Sequence, residues 1–281
     1  MIETARKGWE IVRFEGDKPS VREEIVTAEF PLTVMLNGKE FATMVCSPTD
    51  IEDLVVGFLA SEGVIRFYDE IVSLSIDDRQ GFAYVEVKNP PDMIQNNHSK
   101  RFIGSCCGKS RQFYFQSDVK TAKTVTSKQT ITVHQCYALM DQLQQKSVQF
   151  KETGGVHNAA VSTVDDILTM RTDIGRHNAL DKVYGDILRQ RMPLKDKVII
   201  FSGRISSEVL LKVSKMGIGI LISKSAPTDL ALQLADDLGI TAIGFVRHHK
   251  MNIYTHQERV VEVNESIFYT PESTTCKSWN N

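Results

Sequence analysis

Hydrophobic and polar positions change rhythm twice along the 281 residues. Residues 1 to 20 are charged and mixed with no sustained period, which predicts a loosely held arm. From residue 21 the rhythm is that of strands. Glu24–Phe30 and Leu32–Leu36 alternate or run apolar, Asn37-Gly38 supplies a tight turn, and Lys39–Val45 returns. Thr49-Asp-Ile-Glu52 has the form of a capping box, in which two side chains satisfy free backbone N–H groups at a helix start. Ile51, Leu54, Val55, Phe58 and Leu59 then recur at helical spacing, with Gly63 as terminator. Ile71–Ile76 and Phe82–Val87 read as two more strands, so the first unit is ββαββ.

Residues 88 to 100 are polar and carry prolines, as a surface connection does. They lead to Arg101-Phe-Ile-Gly-Ser-Cys-Cys-Gly-Lys-Ser-Arg111 and then to a Thr- and Lys-rich stretch ending near Gln129. The boundary falls there: a small α+β domain over 20–129, closing with the cysteine loop at 101–111, and a second domain over 130–265. In the second domain helix and strand alternate. Val133, Tyr137, Met140 and Leu143 form a helical stripe that makes Cys136 a core residue. Val156–Val164 and Ile167–Arg171 read as paired strands, followed by a helix through Leu180 and Ile187. Strands Val198–Phe201, Ile218–Ser223 and Thr241–Val246 are separated by helices around Val209–Met216 and over Asp229–Leu238, the latter capped by Thr228. Such alternation predicts an α/β fold with parallel neighbours in the sheet, and ligand sites at the strand ends.

Composition adds exclusions. Charged residues make up 24% and the formal net charge is -2, so no general affinity for nucleic acid follows. The apolar runs are too short for a membrane span and the N-terminus is charged where a signal peptide is apolar, which predicts a cytoplasmic protein. Five cysteines form an odd set unlike a secreted disulfide framework.

Cys106 and Cys107 sit between Gly104 and Gly108 and among Arg101, Lys109 and Arg111, surroundings that favour the reactive thiolate over a buried thiol. The polar signatures of the second domain fall at element junctions: Thr153-Gly-Gly-Val-His157, Asp173-Ile-Gly-Arg-His-Asn178, Ser202-Gly-Arg204, Ser225-Ala-Pro-Thr228 and Phe245-Val-Arg-His-His-Lys250. A single Arg near a helix start is usually solvated or salt-bridged. Five junctions together point to an anionic, phosphate-bearing ligand, with Gly155, Arg176, Gly203, Arg204, Arg247 and Lys250 among its candidate contacts. His157 and His177 suit proton transfer, ligand hydrogen bonding or metal binding, with a satisfied structural histidine as the default for either. Zinc is disfavoured, since neither Cys-x-x-Cys nor His-x-x-x-His occurs.

The ordered set Ser-Cys-Cys-Gly-Lys, Thr-Gly-Gly-Val-His, Asp-Ile-Gly-Arg-His-Asn-Ala-Leu-Asp-Lys, Ser-Gly-Arg-Ile-Ser, Ser-Ala-Pro-Thr and Gly-Phe-Val-Arg resembles the FdhD family over residues 25 to 262. These are the sulfur carrier proteins required for formate dehydrogenase. The resemblance implies a sulfurtransferase that accepts sulfur from a cysteine desulfurase as a cysteine persulfide. It passes that sulfur to the molybdenum bis-molybdopterin guanine dinucleotide cofactor before formate dehydrogenase receives it. Also implied are a cytidine deaminase-like, three-layer second domain with a mixed sheet and a homodimer. Cofactor contacts are implied at Phe245, Val246, Arg247, His248, His249 and Lys250, where a guanine nucleotide is expected to stand in for the cofactor. From their places at the element junctions, Gly155, His157, Arg176, His177, Ser202, Gly203 and Arg204 are further candidates.

Many family members have Cys-Gly-x-Cys-Gly where this chain has Cys106-Cys107-Gly108, so either cysteine inherits the persulfide. The His-x-Glu and Pro-Cys-x-x-Cys of zinc deaminases are missing, which argues against deamination. A non-catalytic chaperone that shields the cofactor is the alternative on the same residues. A Cys106–Cys107 disulfide switch is disfavoured because adjacent cysteines close a strained ring.

Overall fold

In the computed structural model, which describes residues 6–89, 102–103 and 122–262, the strands form three sheets. The first is a ribbon of β1 (Arg6–Glu15) and β2 (Lys18–Thr27), paired antiparallel about Gly16. This corrects the loose arm expected before residue 21. A two-stranded ribbon away from the core has no single buried face, so its sequence carries charges on both faces and shows no clean alternation.

The second sheet, in the order β5-β6-β3-β4-β7, contains β3 (Phe30–Leu36), β4 (Lys39–Cys46), β5 (Ile71–Asp77), β6 (Phe82–Val87) and β7 (Phe102–Ile103). Asn37 and Gly38 make the expected turn, both at positive φ. The helix α1 (Ile51–Ser61) starts without the capping box read at Thr49 and Glu52. Its N-cap is Asp50, in a left-handed conformation and without a side-chain cap bond. Burial holds this helix instead, since every residue of it but Glu52 is buried.

The third sheet runs β13-β12-β11-β10-β8-β9. Its strands are β8 (His157–Ser162), β9 (Ile167–Asp173), β10 (Val198–Phe201), β11 (Ile220–Ser223), β12 (Thr241–Arg247) and β13 (Lys250–Ile253). β10, β11 and β12 are parallel while β8, β9 and β13 pair antiparallel, so the sheet is mixed. Five helices accompany it: α2 (Val133–Lys146), α3 (Val148–Thr153), α4 (Arg176–Arg189), α5 (Ser207–Met216) and α6 (Asp229–Leu238).

Successive strand residues point to opposite faces, and the core divides accordingly. Ala160, Ile200, Ile222 and Ile243 pack with Leu139, Met140 and Leu143 of α2, and Cys136 is buried there as expected. Ala159, Phe201, Leu221 and Ala242 face the other way, onto α4, α5 and α6. The result is an α/β/α stack. The second apolar cluster continues into α1 and the smaller sheet through Leu54, Phe58, Leu32 and Val34. α1 and α4 touch backbone to backbone: a Cβ added at Gly57 would collide with the Asp181 carbonyl oxygen, and one at Gly185 with that of Asp53. Only glycine fits at that crossing.

Candidate functional site

Parallel β10, β11 and β12 end on one side of the third sheet. Antiparallel β8 starts there, with His157 opposite Asp173 at the end of β9 and Ala159 opposite Phe201. His157, Asp173, Ser202, Lys224 and Arg247 therefore lie along one sheet edge. From β8 to β12 is three strand intervals, or about 14 Å. Hydrogen bonds stitch the loops of this edge together. Ser202 donates its N–H to the Asn158 carbonyl at 3.0 Å and accepts the Asn158 N–H on its hydroxyl at 2.9 Å. Ser223 donates its hydroxyl to the Gly203 carbonyl at 2.7 Å.

One cluster sits where α4 begins. The Asp173 carboxylate accepts N–H groups from Gly175 at 2.8 Å and from Ser47 at 2.9 Å, and pairs with the ammonium of Lys182 at 2.7 Å. These bonds fix the α4 N-terminus, and with it Arg176 and His177. Gly203 lies under Arg176, where a Cβ would stand 3.3 Å from the Arg176 Cβ. Burial lowers the Arg176 pKa, and the neighbouring Arg204 charge adds to the shift. His177 Nε2 lies 3.2 Å from the Glu208 carboxylate, an arrangement that by itself favours the charged ring. Burial wins, aided by Lys212, Arg176 and His157, and the pKa is pushed down to about 3. His177 is thus neutral. It donates Nε2–H to Glu208 and keeps an unprotonated Nδ1, which is buried without a hydrogen-bond partner. Burial also lowers the His157 pKa, against the pull of Asp173.

The other cluster is a cleft of about 340 Å³ at the far end of the edge. It is lined by Tyr137, Asp141 and Gln144 of α2, by Lys224, and by Val246, Arg247, His248 and His249. A bulge between Gly244 and Arg247 shapes its rim, with Phe245 at φ 55°. His248 and His249 form the two-residue turn to β13, at φ 51° and 52°. Turns of that hand favour Asn-Gly, so a histidine pair there is held under backbone strain. The His249 ring meets Tyr137 edge-on at 5.2 Å between centroids, and the Arg247 guanidinium lies 5.6 Å from the Phe245 ring centre.

The sequence-predicted residues thus form two groups on one edge. His157, Arg176, His177, Ser202, Gly203 and Arg204 lie at one end. Val246, Arg247, His248 and His249 line the cleft at the other, beside Phe245, while Lys250 pairs across the turn with Arg247. Gly155 is set apart at the foot of the ribbon, where a Cβ would stand 2.9 Å from the Thr27 hydroxyl. Glu208, Lys212, Lys224 and Asp141 were not anticipated. Lys224 follows a strand end as Ser202 does, a signal available in the sequence. Glu208 meets His177 across a long stretch of chain and has no local signature. Cys106 and Cys107 lie outside the described residues. The strand that leads to them, β7, runs parallel to β4 with Ile103 opposite Met44, three positions before Ser47 and its bond to Asp173.

Among the described residues no three His, Cys, Asp or Glu side chains are grouped to hold a metal ion. Nor, among them, is any helix long and apolar enough to cross a membrane. A family model described as FdhD/NarQ matches residues 27–261. The sulfur carrier protein FdhD of Bacillus subtilis (strain 168) is 58% identical over 253 residues, which is 90% of this chain and 97% of that protein. Its counterpart in Staphylococcus haemolyticus (strain JCSC1435) is 55% identical over 255 residues, covering 90% and 96%. A crystal structure from Desulfotalea psychrophila, assigned as a formate dehydrogenase accessory protein, superposes with a TM-score of 0.76 at 23% identity. It covers 92% of this chain and 100% of its own, and at that identity shows likeness of fold.

Proposed function

The chain belongs to the FdhD/NarQ family, and from that premise we propose how its own residues carry out sulfur transfer. It is a sulfurtransferase that carries sulfur as a persulfide and supplies it to the molybdenum bis-molybdopterin guanine dinucleotide cofactor of formate dehydrogenase. Either Cys106 or Cys107 takes the sulfur from a cysteine desulfurase, and the cofactor is the acceptor substrate. An electron pair from the acceptor forms a new bond to the outer sulfur as the S–S bond breaks, and the bonding pair stays on the cysteine, which returns as a thiolate for the next cycle.

The observation that carries this reading is the single cationic edge. Its two clusters, about 14 Å apart, suit a long ligand with separated phosphates. Arg247, His248, His249 and Lys224 take one end in the cleft. Arg176 and Arg204 take the other, beside the neutral ring of His177. A guanine nucleotide occupies the same edge in place of the cofactor. The α/β/α layering and mixed sheet suit a cytidine deaminase-like second domain, and the sequence lacks the His-x-Glu and Pro-Cys-x-x-Cys that zinc-dependent deamination uses. The working unit is a cytoplasmic homodimer that meets the desulfurase and formate dehydrogenase in turn.

The test is a set of cysteine variants. After incubation with a desulfurase and cysteine, mass spectrometry is expected to find one added sulfur on Cys106 or Cys107. The Cys106→Ala/Cys107→Ala double variant is expected to lose both the persulfide and formate dehydrogenase activation. Full activation by that variant would leave a cofactor-binding chaperone as the function.

A further inference from the structure

We infer that Asp141 is the residue by which the cleft selects its ligand, its carboxylate accepting the ring N–H and the amino group of an amino-oxo pyrimidine edge such as that of guanine. The inference deepens the cofactor reading proposed above and rests on it. Its starting point is a charge of the wrong sign. Lys224 and Arg247 equip the cleft for phosphate, and a carboxylate beside them repels that phosphate. A cleft built for phosphate alone has no use for Asp141.

Nothing within the fold accounts for Asp141 either. It is the single acidic residue of α2 and sits inside the helix, where aspartate is among the weaker helix formers. On a solvated face its support would be a cation three or four positions away, but those positions hold Tyr137, Ala138, Gln144 and Gln145. Among the described residues Asp141 makes no hydrogen bond or ion pair. Lys224 shares the cleft with it and yet donates to the Gln144 side-chain oxygen, at 2.9 Å.

The helix sets out the rest of the reader. Tyr137, Asp141 and Gln144 are four and then three positions apart, so an aromatic ring, a carboxylate and an amide follow one another on the face of α2 that lines the cleft. The two oxygens of a carboxylate only accept, and they match two neighbouring N–H donors. Guanine presents that pair on its ring nitrogen and its amino group, next to an oxo group. Lys224 occupies the Gln144 oxygen, which leaves the amide NH2 to donate to that oxo group. Tyr137 and His249, edge-on at 5.2 Å, supply aromatic walls for the base. Adenine fails at the same place, because its ring nitrogen is an acceptor and sets a lone pair against the carboxylate. The pterin rings of the cofactor carry the same amino-oxo edge as its guanines, so the test separates the two.

The experiment is equilibrium titration of the full chain and of its Asp141→Asn variant with GDP, ADP, xanthosine diphosphate and hydroxymethylpterin. The parent is expected to bind GDP at least about tenfold more tightly than ADP. In the variant the amide keeps one acceptor for the ring N–H and turns a donor towards the amino group. GDP affinity should therefore fall at least about tenfold while that of ADP does not fall. Xanthosine diphosphate has a carbonyl where guanine has its amino group, so the variant should prefer it to GDP, reversing the parent's order. That reversal is a gain that loss of folding cannot produce. If the pterin alone weakens on substitution, the same edge is read on the pterin ring rather than on guanine. A change shared equally by GDP and ADP with the pterin unaffected, or no change for any ligand, would overturn the role of Asp141 and leave a phosphate site. No binding of any of these ligands to the parent would overturn the cofactor reading itself, and the role of Asp141 with it.

Discussion

The ammonium of Lys182 lies 2.7 Å from the Asp173 carboxylate, and neither side chain is exposed at all. Lys182 also donates to the carbonyl oxygens of Ser47 and Thr172, at 3.2 and 3.3 Å. The pair therefore joins the smaller sheet to the edge that bears the site. Removing one partner strands a buried charge, so Lys182→Met should cost about 3–5 kcal/mol, a fall in Tm of roughly 10 °C. Asp173→Asn/Lys182→Met should recover only part of that loss, because the two Asp173 oxygens also accept the N–H groups of Gly175 and Ser47 and an amide nitrogen accepts neither. Calorimetry of the three proteins checks this, and a Lys182→Met variant as stable as the parent would refute the bridging role.

His177 should stay neutral well below the usual histidine range. Its folded pKa of about 3 lies under the ordinary 6.5, so between those values the unfolded chain binds a proton that the folded chain refuses. Stability attributable to this residue is present above pH 6.5 and is lost as the pH falls towards about 3, to the extent of a few kcal/mol. The measurement is the difference in unfolding free energy between parent and His177→Gln across that window, expected to narrow with acidification. Proton–nitrogen NMR should also show the Nε2–H tautomer, and a titration midpoint near 6.5 would contradict it.

Two of the five cysteines should be silent. Burial pushes the thiols of Cys46 and Cys136 up to about 12, with Asp173 and Glu262 adding to the respective shifts. Neither supplies thiolate at neutral pH. Alkylation of the native protein at mildly alkaline pH should therefore leave both unmodified until denaturant is added. Peptide mapping reads the result, and rapid labelling of either would show that persulfide chemistry is not confined to the Cys106–Cys107 segment.

The histidine turn should trade stability for binding. Replacing His248→Asn and His249→Gly relieves two left-handed residues and should stabilise the fold by about 1 kcal/mol. The same change removes two ring donors from the cleft, and guanine nucleotide affinity should fall about tenfold. Melting curves and equilibrium dialysis separate the two effects. A double variant that binds as tightly as the parent would mean that the strain serves no ligand.

What could be read from the chain depended on whether a residue's role was local. Strand and helix positions in the third sheet follow from apolar period, because each of those elements has one or two buried faces. The β1–β2 ribbon escaped because it buries neither face against the core. Thr49 and Glu52 have capping-box spacing without forming it, whereas Thr132 and Gln135 form a complete one. Burial of α1 leaves its start to packing, while α2 is partly exposed and uses its cap. β13 was missed because His248-His249 does not look like a turn. Phe245 to His249 were legible as a basic motif, but their strain and their neighbours Tyr137 and Asp141 required the fold. The Glu208–His177 bond likewise joins separate helices and has no sequence period to betray it.

The short strand β7 has a kinetic consequence. Ile103 is held beside Met44, so the Cα of Cys106, three residues on, cannot be more than about 11 Å from it whatever path the chain takes. The proposed persulfide on that cysteine would therefore stay leashed to the strand pair β4–β7. With the proposed persulfide on that cysteine and the proposed ligand on the edge of the same copy, their encounter would be unimolecular, at an effective concentration of about millimolar or above. Its rate is then set by the leash rather than by how much of the protein the cell contains.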